Sequence, residues 1–482
     1  MIALIVAYAK NRVIGNKGQI PWRIKGEQKR FKELTTGNVV VMGRRSYEEI
    51  GRPLPNRMTY VISSTRNFDE DGVKTVGSLQ EAIDHAAKED EKLLLQNEIS
   101  KARDIYISGG ARLYEEAIDI ADVMFNTEID AEIEGDTFFP VFDKKDYVKT
   151  VEKCVEGDIP YKYVTYTRIK YPRKCPCCNE GIINEPYDIC DICGWEDDRV
   201  QNNDREFAGG ANSLSLTDHC KEYFKDKKIR YYPVKELDDT GLVTTVYTTK
   251  TESAWKYGKD GAFQNCIRLA STLGINPQDM VMLNQTHTDG IRVITRKEGG
   301  EMVIRPMEKD GYDGMITNEK GMLLCTVEAD CVPVFLTDPV KEAVGMVHSG
   351  WKGTSKQIAV NAVKLMMERY GSDPKDIQIG IGPCICVDCY EVSNELRDEF
   401  ADMYDESDLE EIFVNPHEPD KYNLDLKKAI RISLIKAGVI KEHIFDTNRC
   451  TKEDEELCSW RRDNPVMKSM LTGIMLKQHE KT

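Results

Sequence analysis

Five groups of residues in this chain have types and spacings that could do chemistry. Glu27 stands five positions after the pair Pro21-Trp22, in the segment EQKRFKEL, and Phe31 falls one helical turn later on the same face. A carboxylate beside an apolar floor can pair with a protonated or donor-rich heterocycle edge. By itself, an acid at a helix start reads equally well as a surface group complementing the dipole. Gly109-Gly110 ends a strand-like run and precedes the helical ARLYEEAI, which suits a pyrophosphate approaching a helix N-terminus; the pair alone would also make a turn. Arg44 and Arg45 follow VVVMG and could hold a 2′-phosphate, favouring NADPH over NADH, although a solvated helix start accounts for them too. A hydride-transferring site needs a dinucleotide cradle, an anchor for the substrate's amidine-like edge and a dry face for stacking, and this first segment offers candidates for each.

The other two groups are metal-ligand patterns. Cys175-x-x-Cys178 and Cys190-x-x-Cys193 are separated by eleven residues, a spacing at which two knuckles can wrap one zinc ion tetrahedrally. Cys177 is a spare thiol, so spacing alone leaves a second choice in the first knuckle. So small a segment could hardly bury a core without metal, and a closed four-thiolate site is structural rather than catalytic. His287, Cys331 and His348 each end or follow an apolar, strand-like run: MVMLNQTH, MLLCTVEAD and EAVGMVH. A His₂Cys set leaves the fourth position of zinc open for water, as catalysis requires. Singly, each of the three reads as core or as a hydrogen-bonded filler residue.

The elements that must position these residues follow from hydrophobic patterning. IALIVAY (2–8), VVVMG (39–43), TYVISS (59–64) and DIYISGG (104–110) read as buried parallel strands alternating with helices, which predicts a doubly wound α/β sheet. KEDEKLLLQNEISKAR (88–103) reads as a charged amphipathic insertion forming a solvated helix. Near residue 170 the texture changes to a cysteine-dense patch rich in Gly, Asn and Asp, and after about 226 strand–helix alternation resumes with GLVTTVYTT and the three runs above. The expected organisation is therefore α/β multidomain, with units 1–170, 171–225 and 226–482. A net charge of −16 argues against nucleic-acid binding, no apolar stretch is long enough to span a bilayer, and the first residues read as a strand rather than a signal peptide. A cytoplasmic location follows. In such a reducing compartment, the six cysteines between Cys175 and Cys220 point to metal rather than to disulfides.

Residues 1 to about 169 closely resemble the dihydrofolate reductase family. The residues that carry the resemblance, in order, are Ala7, RVIG (12–15), IPW (20–22), Glu27, Phe31, MGRRS (42–46), IGRPLP (50–55), Arg57, ISS (62–64), ISGGARLY (107–114) and EIEGDTFFP (132–140). The resemblance implies NADPH-dependent reduction of 7,8-dihydrofolate to tetrahydrofolate. Glu27 would bind the pterin 2-amino group and N3, Thr127 would complete that network and Trp22 would hold an ordered water. Ile5, Phe31, Ile50 and Leu54 would line the substrate pocket, and Arg57 would clamp the glutamate-tail carboxylate. Ala7, Ile14, Gly43, Arg44, Arg45, Ser46, Ser64, Gly109, Gly110, Ala111 and Arg112 would contact the cofactor. The acid is Glu where many bacterial members have Asp, and Ala111 replaces the third glycine of the usual triplet. The spacing fits folate better than the related pyrimidine reductase of riboflavin synthesis.

The run CPCC…CDICGWEDDRVQNND…GGANSLSL resembles the cysteine-rich CPCC family and implies a folding staple or docking surface. Residues from about 240 to 476 resemble the laccase-domain family, once called multicopper polyphenol oxidases. NQTHTD (284–289), DGMIT (313–317), ADCVPVFL (329–336), VHSGWKGT (347–354), IGPCICVDCYEV (381–392) and SWRRD (459–463) carry that resemblance. It implies a zinc-dependent purine nucleoside phosphorylase that also deaminates adenosine, with His287, Cys331 and His348 on a catalytic Zn²⁺. Lys352, Arg461 and Arg462 are candidates for holding phosphate. Where members carry Thr-Arg-x-Gly-Gly this sequence reads TTKTESAW (248–255), without that arginine. Cys384, Cys386 and Cys389 read as packing and loop structure rather than as a second metal centre. The alternatives for this part are a copper oxidase, disfavoured by the scarcity of histidine, and a peptidoglycan-editing or binding module.

Overall fold

The computed structural model describes all residues except 25, 158, 308–310, 419, 466–467 and 479–482, with residues 416–418 described by backbone alone. It divides into two compact units, Met1–Tyr171 and Pro172–Thr482.

The first unit is an eight-stranded mixed sheet in the order Val73–Val76, Met58–Ile62, Val39–Gly43, Ile105–Ile107, Ile2–Ala9, Val123–Ile129, Tyr161–Arg168, Tyr147–Val155. Its first six strands pair in parallel and the last two close the edge antiparallel. Val39, Val40, Val41 and Met42 are all fully buried, because both faces of this strand are covered. On one face Leu4, Val6, Val41 and Ile107 pack with Ala82 and Ala86 of helix Leu79–Leu95 and with Leu113 and Ala117 of helix Ala111–Ala117. On the other, Ala3, Ile5 and Tyr106 meet Phe31 and Leu34 of helix Glu27–Thr35, and Val40 and Met42 meet Tyr47 of helix Arg44–Ile50.

The expected solvated helix over 88–103 is corrected here. The helix is Leu79–Leu95, and the chain leaves it through Asn97, whose φ of 56° is left-handed. Asp90 is buried and accepts hydrogen bonds from the Arg103 backbone N–H and Nε, both at 2.6 Å, so the segment is stitched to the unit rather than solvated.

The second unit stacks two sheets and a helical layer. A five-stranded sheet runs Tyr231–Tyr232, Val243–Thr248, Met470–Leu476, Leu323–Glu328, Met280–Met282; a six-stranded sheet runs Ile291–Val293, Gly314–Thr317, Ala343–Ser349, Val332–Asp338, Gln378–Ile381, Ile444–Asp446. Alternate residues face opposite ways along a strand. Val344 and Met346 accordingly join Leu324, Val281 and Ile474 between the sheets, whereas Ala343 and Val347 pack with helices Ile358–Tyr370 and Leu426–Lys436. The cysteine-rich segment belongs to this second unit: Gln264 Nε2 of helix Ala262–Leu273 donates to the Pro176 carbonyl at 2.6 Å, and the Arg205 guanidinium lies 4.1 Å from the Phe263 ring centre. No helix among the described residues is long and apolar enough to cross a membrane.

Candidate active and metal sites

Glu27 opens helix Glu27–Thr35 immediately after Gly26, which holds a left-handed φ of 100° that a side chain would resist. The turn aims the carboxylate at the sheet, where the Thr127 hydroxyl donates to Oε1 at 2.9 Å. Oε2 is buried and has no partner among the described residues. Burial raises the carboxyl's pKa above the ordinary range; the Thr127 bond and the Arg30 charge oppose that shift without cancelling it. Arg30 is itself held by Glu152 at 3.0 Å and stacks 4.2 Å from the centre of the Tyr163 ring. Phe31 and Leu54 pack at the margin of the Val40–Met42 cluster, and Ile5 is buried beside Phe31. Trp22 is nearly buried against Val13, Ile129 and Tyr161. Arg57 is buried, donates to the Pro55 carbonyl at 3.1 Å and lies 6.0 Å from the Phe31 ring centre.

The strand ends Val39–Gly43 and Ile105–Ile107 bring the glycines together: the Gly43 N–H donates to the Gly109 carbonyl at 2.8 Å. A Cβ on Gly109 would meet the Ser46 hydroxyl at 3.0 Å, so Gly43, Ser46, Gly109 and Gly110 form one small-residue cradle. The next helix starts at Ala111. Arg44 donates to the Thr65 hydroxyl at 2.8 Å, Arg45 and Ser64 are exposed, and Ala7 and Ile14 are half-buried. Ile50 is exposed at the end of helix Arg44–Ile50, and Arg112 is almost fully exposed and paired with Glu116 at 3.2 Å. The Arg112 pair with Glu116 is a helical i, i+4 contact at the surface.

In the second unit the sulfurs of Cys175, Cys178, Cys190 and Cys193 lie within 4.8 Å of one another, with Cys175–Cys193 and Cys178–Cys190 at 3.6 Å. Thiolates 2.3 Å from a tetrahedral zinc would be about 3.8 Å apart, so this donor set fits the ion. The backbone N–H groups of Glu180 and Gly181 donate to Cys178 Sγ at 3.4 Å, and a Cβ on Gly181 would come within 2.3 Å of Cys190 Sγ. Cys177 falls outside the four-sulfur group and lies instead near Cys193 and His219.

His287, Cys331 and His348 also present their ligand atoms within 4.8 Å of one another. His348 ends strand Ala343–Ser349, and Cys331 sits just before strand Val332–Asp338, its antiparallel neighbour. His287 holds a left-handed φ of 61° that turns its ring to meet His348 edge-on, centres 5.0 Å apart. Asp313 anchors the set. Its Oδ1 lies 2.9 Å from His348 Nδ1, and its carboxylate accepts the backbone N–H groups of Thr286, His287 and Thr288 at 3.2, 3.1 and 2.7 Å. With Nδ1 so engaged, His348 Nε2 is left to serve a metal, the usual carboxylate–histidine–metal arrangement. Burial pushes the Cys331 thiol up, but the His348 charge and hydrogen bonds from both histidines outweigh it and hold it at about 6. Burial alone would lower His348, yet Cys331 and Asp313 raise it to about 10. A donor set that favours thiolate and carries a fixed imidazole suits zinc.

Dihydrofolate reductase type A13 of Escherichia coli is 36% identical over 167 residues, which cover 35% of this chain and 94% of that protein. Purine nucleoside phosphorylase YlmD of Bacillus subtilis is 35% identical over 212 residues, 44% of this chain and 75% of that protein. The family profiles match as "Dihydrofolate reductase" over 1–171, "Cysteine-rich CPCC" over 173–227 and "Multi-copper polyphenol oxidoreductase laccase" over 259–477. The chain belongs to the dihydrofolate reductase family in its first unit and to the laccase-domain family in its second. The crystal structure of YlmD from Geobacillus stearothermophilus matches with 31% identity and a TM-score of 0.45, covering 49% of this chain and 92% of that one.

In the laccase-domain unit the three phosphate candidates part company. Arg462 is corrected: its guanidinium donates to Asp463 and to the carbonyls of Thr451, Lys452, Asp454 and Leu457, so it staples a loop and has no donors left for phosphate. Arg461 is exposed, stacks 5.2 Å from the centre of the Tyr390 ring, and its N–H donates at 2.7 Å to Asp330, the residue before Cys331. Lys352 is exposed on the short helix that follows His348. Sequence reasoning missed Asp313, although it opens the quoted DGMIT stretch, because its partner lies 35 residues away. Glu328 was missed as well. It is fully buried, its Oε1 lacks a partner among the described residues, and burial lifts its pKa to about 7 against the opposing His348 charge.

Proposed function

We propose that this chain is a bifunctional enzyme. Its first unit reduces 7,8-dihydrofolate to tetrahydrofolate with NADPH, and its second cleaves purine nucleosides with phosphate, and deaminates adenosine, at a zinc centre. Three functional parts follow from this reading: a reductase over 1–170, a cysteine-rich zinc-binding part over 171–225 and a phosphorylase part over 226–482. Enzymes on both sides of the similarity support it.

The observation that carries the reductase reading is the orphaned Glu27 Oε2. A buried carboxylate oxygen without a partner calls for a donor, and the pterin 2-amino group and N3 supply two. Thr127 fixes the other oxygen, so the carboxylate cannot turn away. Burial shifts the carboxyl towards its protonated form, and water ordered at Trp22 would relay a proton towards the pterin N5. Ile5, Phe31 and Leu54 give the dry floor, and Arg57 faces the tail carboxylate. When bound, NADPH supplies the hydride. The Gly43, Gly109 and Gly110 cradle leaves room for its phosphates, with Arg44 and Arg45 for the 2′-phosphate.

In the second unit His287, Cys331 and His348 would hold zinc, which supplies a Lewis acid at purine C6. Asp313 fixes the His348 tautomer, and Lys352 and Arg461 provide positive charge for phosphate. A His₂Cys set can also hold copper, but multicopper oxidation needs several histidine-rich centres and the whole chain has seven histidines. The test is a paired assay of the purified full-length protein, with dihydrofolate and NADPH and, separately, with adenosine and phosphate, alongside metal analysis. Both activities, with bound zinc, are expected. Bound zinc with neither phosphorolysis nor deamination would remove the second half of the proposal.

A further inference from the structure

We infer that Cys386, Cys389, Cys450 and Glu453 form a further zinc site, distinct from both the four-cysteine cluster and the His287–Cys331–His348 set. The sequence expectation of packing and loop structure describes Cys384, which is fully buried in the core, but not its two neighbours. Strands Gln378–Ile381 and Ile444–Asp446 are parallel neighbours, paired from Ile379–Ile444 to Ile381–Asp446, so the loops leaving their ends run side by side. The pairing continues beyond the sheet: Cys384 N–H donates to the Arg449 carbonyl at 3.3 Å and Thr451 N–H to the Cys384 carbonyl at 3.0 Å. Two short motifs, Cys386-x-x-Cys389 and Cys450-x-x-Glu453, are thereby laid against each other. Their three sulfurs and one carboxylate oxygen lie within 4.8 Å of one another, with Cys389 Sγ 3.6 Å from Glu453 Oε1.

As in the four-cysteine cluster, a main-chain N–H is aimed at a sulfur. There, the N–H groups two and three residues after Cys178, those of Glu180 and Gly181, donate to its sulfur. Here, Cys386 N–H donates to Cys450 Sγ at 3.4 Å. Cys389 N–H turns back onto the Cys386 carbonyl at 3.1 Å, closing the turn that sets the two thiols side by side. N–H groups aimed at sulfur stabilise thiolates, which are the metal-binding form. Three thiolates and a carboxylate make a four-donor set whose soft majority selects zinc over magnesium or calcium.

The site has a consequence for its neighbour. Asp330, beside Cys331, is held by both loops: its carbonyl accepts Ile385 N–H at 3.0 Å, and its carboxylate accepts the Thr451 hydroxyl at 2.6 Å and Arg461 N–H at 2.7 Å. A metal joining the loops positions Asp330 and Arg461 at the rim of the His287–Cys331–His348 set.

The experiment compares zinc per chain in the full-length protein, prepared under reducing conditions, with that in Cys386→Ser/Cys389→Ser and in His348→Ala. The double variant is expected to lose one zinc that His348→Ala retains, and their combination to lose two. Cobalt substitution should show weaker thiolate-to-cobalt absorption in the double variant. Should that variant fold poorly, alkylation of the unaltered protein mapped by mass spectrometry gives an independent reading, with zinc protecting Cys386, Cys389 and Cys450 together. An unchanged zinc count in the folded double variant, no zinc protection, or a disulfide among these three thiols in the reduced preparation would overturn the proposal.

Discussion

Two buried carboxylates, one in each unit, are built for opposite purposes. Glu27 has one oxygen held by Thr127 and the other buried without a partner, and burial raises its pKa. Asp313 is fully buried where Glu27 is half-buried, yet His348, the Thr288 hydroxyl and three backbone N–H groups satisfy it, and their bonds outweigh burial and lower its pKa. A half-satisfied buried acid waits for a ligand, whereas a saturated one is part of the frame that holds another residue still. The direction of the pKa shift separates a binding group from a positioning group, although both are acids in a protein interior.

The sharpest way to break this comparison is to remove the groups themselves. His348→Ala should reduce nucleoside phosphorolysis to background and release the metal of that set, read by metal analysis, while dihydrofolate reduction persists. Glu27→Gln should lower the rate of dihydrofolate-dependent NADPH oxidation by about 10²–10⁴-fold, the range for a lost proton-handling group, and leave nucleoside cleavage unchanged. Asp313→Asn should act more gently, weakening metal affinity by about 10–100-fold in a competition titration, as expected for a residue that orients a ligand.

Smaller effects appear in stability against pH, where the two acids should differ in sign. The folded protein holds the Glu27 proton more tightly than the unfolded chain does. Ionisation of Glu27 therefore disfavours folding increasingly as pH rises from about 4.5, its unfolded value, through the raised folded value, and the penalty persists above it. Glu27→Gln should raise the melting temperature of the first unit at neutral pH and leave it little changed in acid. Asp313 has the reverse linkage: it stabilises above pH 3.8 and loses that contribution as pH falls through its lowered folded value, so Asp313→Asn should lower the melting temperature at neutral pH. Thermal scans from acid to neutral pH check both. Equal signs would erase the distinction between the two carboxylates.

Much of the molecule was legible in the sequence wherever a constraint acts locally. The runs over 2–8 and 39–43 announce strands because both faces of those strands are buried, and two CxxC knuckles eleven residues apart announce a cluster because a tetrahedral ion admits few spacings. Legibility failed where a residue's meaning depends on distant partners. Arg462 looks the same as Arg461 in SWRRD, yet the carbonyls of 451–457 consume its donors. Cys386 and Cys389 look like loop residues until a parallel strand pair brings Cys450 and Glu453 beside them. Asp313 carries no local mark in the sequence because its partner His348 lies on a neighbouring strand.

The sequence by itself determined which groups exist: the acid at 27, the paired thiols and the three strand-end ligands, all in the order that places the chain in its two families. Only the tertiary structure decided which of those groups are satisfied. That distinction depends on burial and on hydrogen-bond partners many residues away, and neither is a property of a residue and its near neighbours. Glu27 is the plainest case: its place after Pro21-Trp22 marked it from the start, but the fold alone leaves one of its oxygens bonded to Thr127 and the other without a partner.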